Sequence, residues 1–65
     1  MTIGEKLRQL RISRNESLDT AANNIGITKS SLAMYERDER TPRDQVKVAL
    51  ANYYGQSIEH LFFAT

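Results

Sequence analysis

The sequence predicts an all-α fold of five short helices with no strand, forming one domain over residues 1–65. Three observations carry that prediction. Apolar residues recur at steps of three and four, and no segment alternates strictly as a half-buried strand would. Thr2, Ser17, Thr28 and Ser57 stand just ahead of apolar stretches, where a side-chain oxygen can accept a free helix N–H. Asn15, Gly26 and Gly55 stand just after them, and these residue types enter the left-handed region at low cost.

Helix 1 begins at a capping box, Thr2-Ile3-Gly4-Glu5, with Thr2 as N-cap and Glu5 reaching back to it. Ile3, Leu7, Leu10 and Arg14 then form one stripe, and the helix ends near Arg14 with Asn15 in the left-handed region. At least one of Arg8, Arg11 and Arg14 belongs to a plain solvated face. Ser17 caps helix 2, and Asp19 lies where negative charge favours the helix dipole. Leu18, Ala21, Ala22 and Ile25 face inwards, and Gly26 stops the helix at about residue 25. Thr28 caps helix 3, which runs from about residue 29 to 36 or 37 with Leu32 and Tyr35 inwards. Small Ala22 lets the two helices approach closely, and Gly26 is expected to serve both the turn and that packing. Two such helices around a glycine turn are a helix-turn-helix.

The loop 38–42 is charged, and Thr41 is biased towards an extended conformation by Pro42. Val46, Ala49, Leu50 and Tyr53 make the inward stripe of helix 4, which is capped by Asp44 or Thr41 and stopped by Gly55. Ser57 opens a short helix 5 with Glu59 in its first turn and Ile58, Leu61 and Phe62 inwards. His60, Phe63 and Tyr54 are left outside, a candidate dimer surface.

Composition bounds what such a fold can do. A chain of 65 residues buries only about 60% of its unfolded surface. Such a core rarely supplies more than about 3–5 kcal/mol of net stability without a staple. With no cysteine and one histidine, disulfides and clustered metal ligands are excluded, and no cofactor or small-molecule ligand is expected. There is no glycine-rich phosphate loop, and His60 has no catalytic neighbours at useful spacing, so an enzyme is not expected. The N-terminus has no continuous apolar run, which argues against a signal peptide or membrane span and for a cytoplasmic, nucleoid-associated protein. A formal charge of +1 does not by itself point to nucleic acid. Arg37, Arg40 and Arg43 are nevertheless gathered just after helix 3, interspersed with Asp38 and Glu39.

On these residues the chain resembles the phage repressor and Cro-like helix-turn-helix regulators. The turn glycine matches at Gly26, the small residue at Ala22, and the buried positions at Ile25, Ile27, Leu32 and Tyr35. The flanks IGEKLRQLR, ER…RTPR and YYGQSIEHLF also match. The resemblance implies a compact, five-helix, lambda-repressor-like DNA-binding domain in which helices 2 and 3 form the motif. It implies that helix 3 enters the major groove of a double-stranded operator while helix 2 crosses the backbone. Lys29, Ser30, Ala33 and Met34 would then face base edges. Ser17, Thr28, Arg37, Arg40 and Arg43 would lie near phosphates. Arg11 and Glu36 would form the ion pair that fixes helix 1 against helix 3.

The sequence departs from the family pattern in four places. Leu18 replaces a phosphate-binding Gln, Glu16 an apolar residue and Asp38 a Gly, and helix 3 offers no Arg, Asn or Gln among its first turns. The expected function is a transcriptional repressor or Cro-like switch of phage or mobile-element type, a homodimer on a palindromic operator. The chain is either a whole regulator or the DNA-binding part of a longer one. The alternative is a protein-interaction module on the same scaffold, an antitoxin or anti-repressor, whose Ala33 and Met34 face binds protein.

Overall fold

The computed structural model describes residues 1–63. Among the described residues five helices follow one another with no strand: α1 (Ile3–Ser13), α2 (Leu18–Ile25), α3 (Lys29–Glu36), α4 (Asp44–Tyr54) and α5 (Glu59–Phe63), the last wound as a π-helix. No helix among the described residues is long and apolar enough to cross a membrane. α3 is the hub, packed against both α1 and α2; α2 also meets α4, and α1 meets α5. The core is built from Leu7, Ala21, Ala22, Leu32, Tyr35, Leu50, Ala51, Tyr54, Leu61 and Phe62, with Ile25 and Ile27 packed at its edge.

Local chemistry explains most of the boundaries. Thr2 Oγ1 accepts from the Glu5 amide at 3.1 Å, and the Glu5 carboxylate accepts from the Thr2 amide at 2.8 Å, closing the capping box. Those bonds hold the Glu5 carboxyl below its ordinary pKa. Ser17 accepts from Thr20 N, Thr28 from Ser31 N and Ser57 from His60 N, so each of those helices starts where the sequence places a hydroxyl. Asn15 and Asp38 both adopt φ 59°, and Gly26 and Gly55 are left-handed as well.

Gly26 turns at φ 94°, yet a β-carbon there would meet no atom within 4 Å. The expectation that it also serves helix packing is therefore corrected: its demand is torsional alone. Gly26→Ala is expected to cost about 1–2 kcal/mol, the price of the left-handed region for an L-residue. Urea denaturation of the variant checks this, and an unchanged midpoint would contradict it.

Helix 4 differs from the sequence expectation in two ways. Arg43 occupies its N-cap position and makes no side-chain cap bond. Asp44 lies inside the first turn, where its charge complements the dipole, while Pro42 separates Thr41 from the helix. The buried stripe is also rotated, running through Leu50, Ala51 and Tyr54, with half-buried Lys47 extending it by one turn and Val46, Ala49 and Tyr53 half-buried beside it. Lys47 conceals this stripe in the sequence. Its side chain is only 18% exposed, and its ammonium lies 5.8 Å from the Phe62 ring centre and 5.2 Å from that of Phe63.

Tyr54 is accordingly not on the surface. It is buried in the core at 5% exposure, and its place as an exposed dimer residue is withdrawn. Its hydroxyl has no hydrogen-bond partner among the described residues, and burial pushes the phenol up to about 12 from 10. Because the folded state holds this proton more tightly than the unfolded chain, the associated stability is complete below pH 10. It is lost as pH rises through 10 towards 12. Tyr54→Phe removes the unsatisfied group, so it is expected to stabilise by about 1 kcal/mol and to flatten the alkaline loss. Melting curves of both chains between neutral and alkaline pH test both parts.

Candidate nucleic-acid interface

The exposed side of α3 is set by what its other side buries. Leu32, Tyr35 and Glu36 point inwards, which turns Lys29, Ser30, Ala33, Met34 and, beyond the helix end, Arg37 to one outer face. Lys29, Ser30 and Arg37 are exposed, while Ala33 and Met34 are half-buried. The four residues expected to face base edges therefore share a single strip, with two polar groups at its start and an apolar patch at its centre.

α3 is oriented by a buried ion pair. Arg11 donates from Nε to Glu36 Oε2 at 2.8 Å and from Nη2 to Glu36 Oε1 at 3.0 Å. A third bond runs from Arg11 Nη1 to the Glu16 carbonyl at 2.8 Å. The two side chains are 12% and 4% exposed, and the bonds to Glu36 hold the guanidinium above its ordinary pKa. One arginine thus joins α1, the segment entering α2, and the last residue of α3.

The segment entering α2 is braced from the other side. Tyr53 on α4 donates its hydroxyl to the Glu16 carboxylate and accepts from Asn24 Nδ2 at 3.1 Å. Arg14 stacks its guanidinium 4.5 Å from the centre of the Tyr53 ring and donates to the Tyr53 carbonyl at 2.9 Å. Glu16 has a polar role here because its carboxylate meets a phenol and lies 3.4 Å from Arg14 Nε.

A second unforeseen contact lies where α1 meets the exit of α3. A β-carbon on Gly4 would fall 2.5 Å from the Glu36 carbonyl oxygen and 2.7 Å from that of Tyr35. Asp38, left-handed just beyond α3, accepts from the Gly4 amide at 2.9 Å and from the Thr2 hydroxyl at 2.6 Å. Glycine composition alone does not signal this approach, because it depends on where α3 ends.

The residues expected near phosphates divide by their present partners. Ser17 and Thr28 each send their hydroxyl proton to a neighbour, Thr20 Oγ1 at 3.1 Å and Ser31 Oγ at 2.9 Å. What these two helix starts offer outwards is therefore their unpaired first-turn amides. Arg37 pairs with Glu39 at 2.9 Å. The side chains of Arg40 and Arg43 are exposed and make no hydrogen bond or ion pair among the described residues. Phe63 and Val48, 63% and 43% exposed, flank half-buried Ile58 in a hollow edged by Asp44 and Lys47. His60 is also exposed, on the same short helix as Phe63.

This arrangement, two capped helices around a left-handed glycine with an outward strip on the second, defines a helix-turn-helix protein. The chain matches the helix-turn-helix domain family over residues 4–64 and belongs to it. The resemblance to phage-repressor-type regulators is borne out in the same comparison of relatives. The chain is 34% identical over 56 residues to the cryptic phage CTXphi transcriptional repressor RstR of Vibrio cholerae, covering 86% of this chain and 50% of that protein. It is 31% identical over 61 residues to the transcriptional regulator ImmR of Bacillus subtilis, covering 94% of this chain and 48% of that one. The chain thus spans about half the length of these relatives. Its fold matches the crystal structure of the P22 c2 repressor, solved with a synthetic operator and Tl+, at a TM-score of 0.93. That match has 20% identity and covers 100% of this chain and 98% of the other.

Proposed function

We propose that this chain is a sequence-specific, double-stranded-DNA-binding transcriptional regulator, a repressor or Cro-like switch of phage or mobile-element type. The observation that carries the reading is the outer strip of α3 followed by Arg40 and Arg43, two cations without a protein partner among the described residues. Unpaired arginines beside a groove-reading helix suit phosphate, which positions a protein on the duplex without specifying sequence. The family membership and the repressor names of the relatives point the same way. In the proposed mechanism α3 lies in the major groove and occupancy of the operator alters access of polymerase. Lys29 and Ser30 meet base edges, and Ala33 and Met34 suit thymine methyl groups.

Two protomers on a palindrome would double a modest contact surface, with half-sites about 34 Å apart. The hollow of Val48, Ile58 and Phe63 suits a two-fold contact because two exposed apolar side chains flank it, and a two-fold axis lets each copy cover the same patch on the other. Phe63→Asp is expected to shift a dimer towards monomer in sedimentation while changing monomer stability by less than about 0.5 kcal/mol, since Phe63 is exposed.

Selection of the full chain against random-sequence duplex at low salt tests the function. Enrichment of a palindrome, bound with an affinity that falls steeply with salt and weakens for Arg43→Glu on every sequence, is the expected result. No enriched sequence would sink the reading and favour the protein-interaction module instead.

A further inference from the structure

Lys29 is the one flexible cation on the outer strip of α3, and it is already engaged. Its ammonium lies 3.6 Å from Asp19 Oδ2, across the turn from α3 to the first turn of α2. The two side chains are 59% and 74% exposed, so the pair adds little to stability. Its effect is on position. A lysine side chain has four rotatable carbons and a point charge, and left alone it reaches any phosphate within its arc. As the first residue of α3 it also opposes the dipole of its own helix, which Asp19 offsets. The rest of the strip cannot discriminate strongly, because Ser30 both donates and accepts and Ala33 and Met34 have no hydrogen-bonding fork.

We propose that Asp19 is a specificity-determining residue, which biases the Lys29 ammonium towards the start of α3 and away from sequence-blind pairing with phosphates. The inference rests on the DNA-binding reading above. With that bias, Lys29 donates more often where a base-edge acceptor comes to the start of α3. Released, it becomes one more sequence-blind phosphate contact. Asp19 would thus act by lowering the affinity for wrong sequences, a repulsive device against competitors as much as a gain for the right one.

The test measures binding of the full-length chain to two probes, the duplex enriched by the wild type and a random-sequence duplex, across a range of salt. Asp19→Asn is expected to raise affinity for the random duplex by about fivefold, the scale of one exposed charge pair. The salt slope on that duplex should steepen by about 0.9, one added phosphate contact. Affinity for the enriched duplex should change less than about twofold, so discrimination falls. In a Lys29→Met background the same Asp19→Asn change should alter both duplexes equally. An unchanged ratio in the wild-type background, or an equal effect of Asp19→Asn with and without Lys29, overturns the inference while leaving DNA binding intact. A wild type that enriches no duplex removes the DNA-binding reading and this inference with it.

Discussion

Glu36→Ala is expected to cost about 3–5 kcal/mol, the cost of leaving one member of a buried ion pair without its partner. Arg11 gives two of its three observed hydrogen bonds to Glu36, and both side chains are almost wholly removed from water. With the carboxylate gone, the guanidinium keeps only the Glu16 carbonyl. A domain of this size rarely has more than about 3–5 kcal/mol of net stability, so the variant should be largely unfolded at room temperature. Replacing both partners, Arg11→Met with Glu36→Leu, should recover much of the loss, because no charge is then buried alone. Urea denaturation followed by circular dichroism decides it; a loss under about 1 kcal/mol for Glu36→Ala would show the pair to be dispensable.

Gly4→Ala should be nearly as damaging, although in an ordinary helix the change would help by about 1 kcal/mol. The added methyl would sit 2.5 and 2.7 Å from two main-chain carbonyl oxygens at the end of α3, and main chain cannot rotate aside. The helices must separate, stretching the bond from the Gly4 amide to Asp38 and the packing of Leu7 behind it. A net loss of about 3 kcal/mol is expected, the upper range for overpacking. Asp38→Ala, which clears only the 2.8 Å carboxylate contact, should not rescue it. A thermal melt in which Gly4→Ala matches or exceeds the parent would refute the steric account.

These cases mark how far the residues themselves disclose the molecule. Helix starts at Thr2, Ser17 and Thr28 and stops at Gly26 and Gly55 are legible because capping and left-handed turns are settled within four residues. The outer strip of α3 follows, since Leu32 and Tyr35 fix its inner side. The inward face of α4 is not legible. Adjacent Tyr53 and Tyr54 offer two equally good stripes, and the deciding residue, Lys47, looks polar while its stem packs inwards. The role of Gly4 is hidden for another reason: it depends on a contact with residues more than thirty positions away. The Asp19–Lys29 pair is hidden similarly, because each residue belongs to a different helix and only the turn at Gly26 brings them together.

The Asp38 contacts have a consequence for motion. First-turn amides of a helix ordinarily fray and exchange with solvent on their own. Here the Gly4 amide and the Thr2 hydroxyl are both held by a residue just beyond α3. The beginning of the chain and the exit of its outward-facing helix are therefore expected to open together, which hydrogen exchange at the Gly4 amide checks: Asp38→Ala should speed it, and an unchanged rate would show the two ends to be independent.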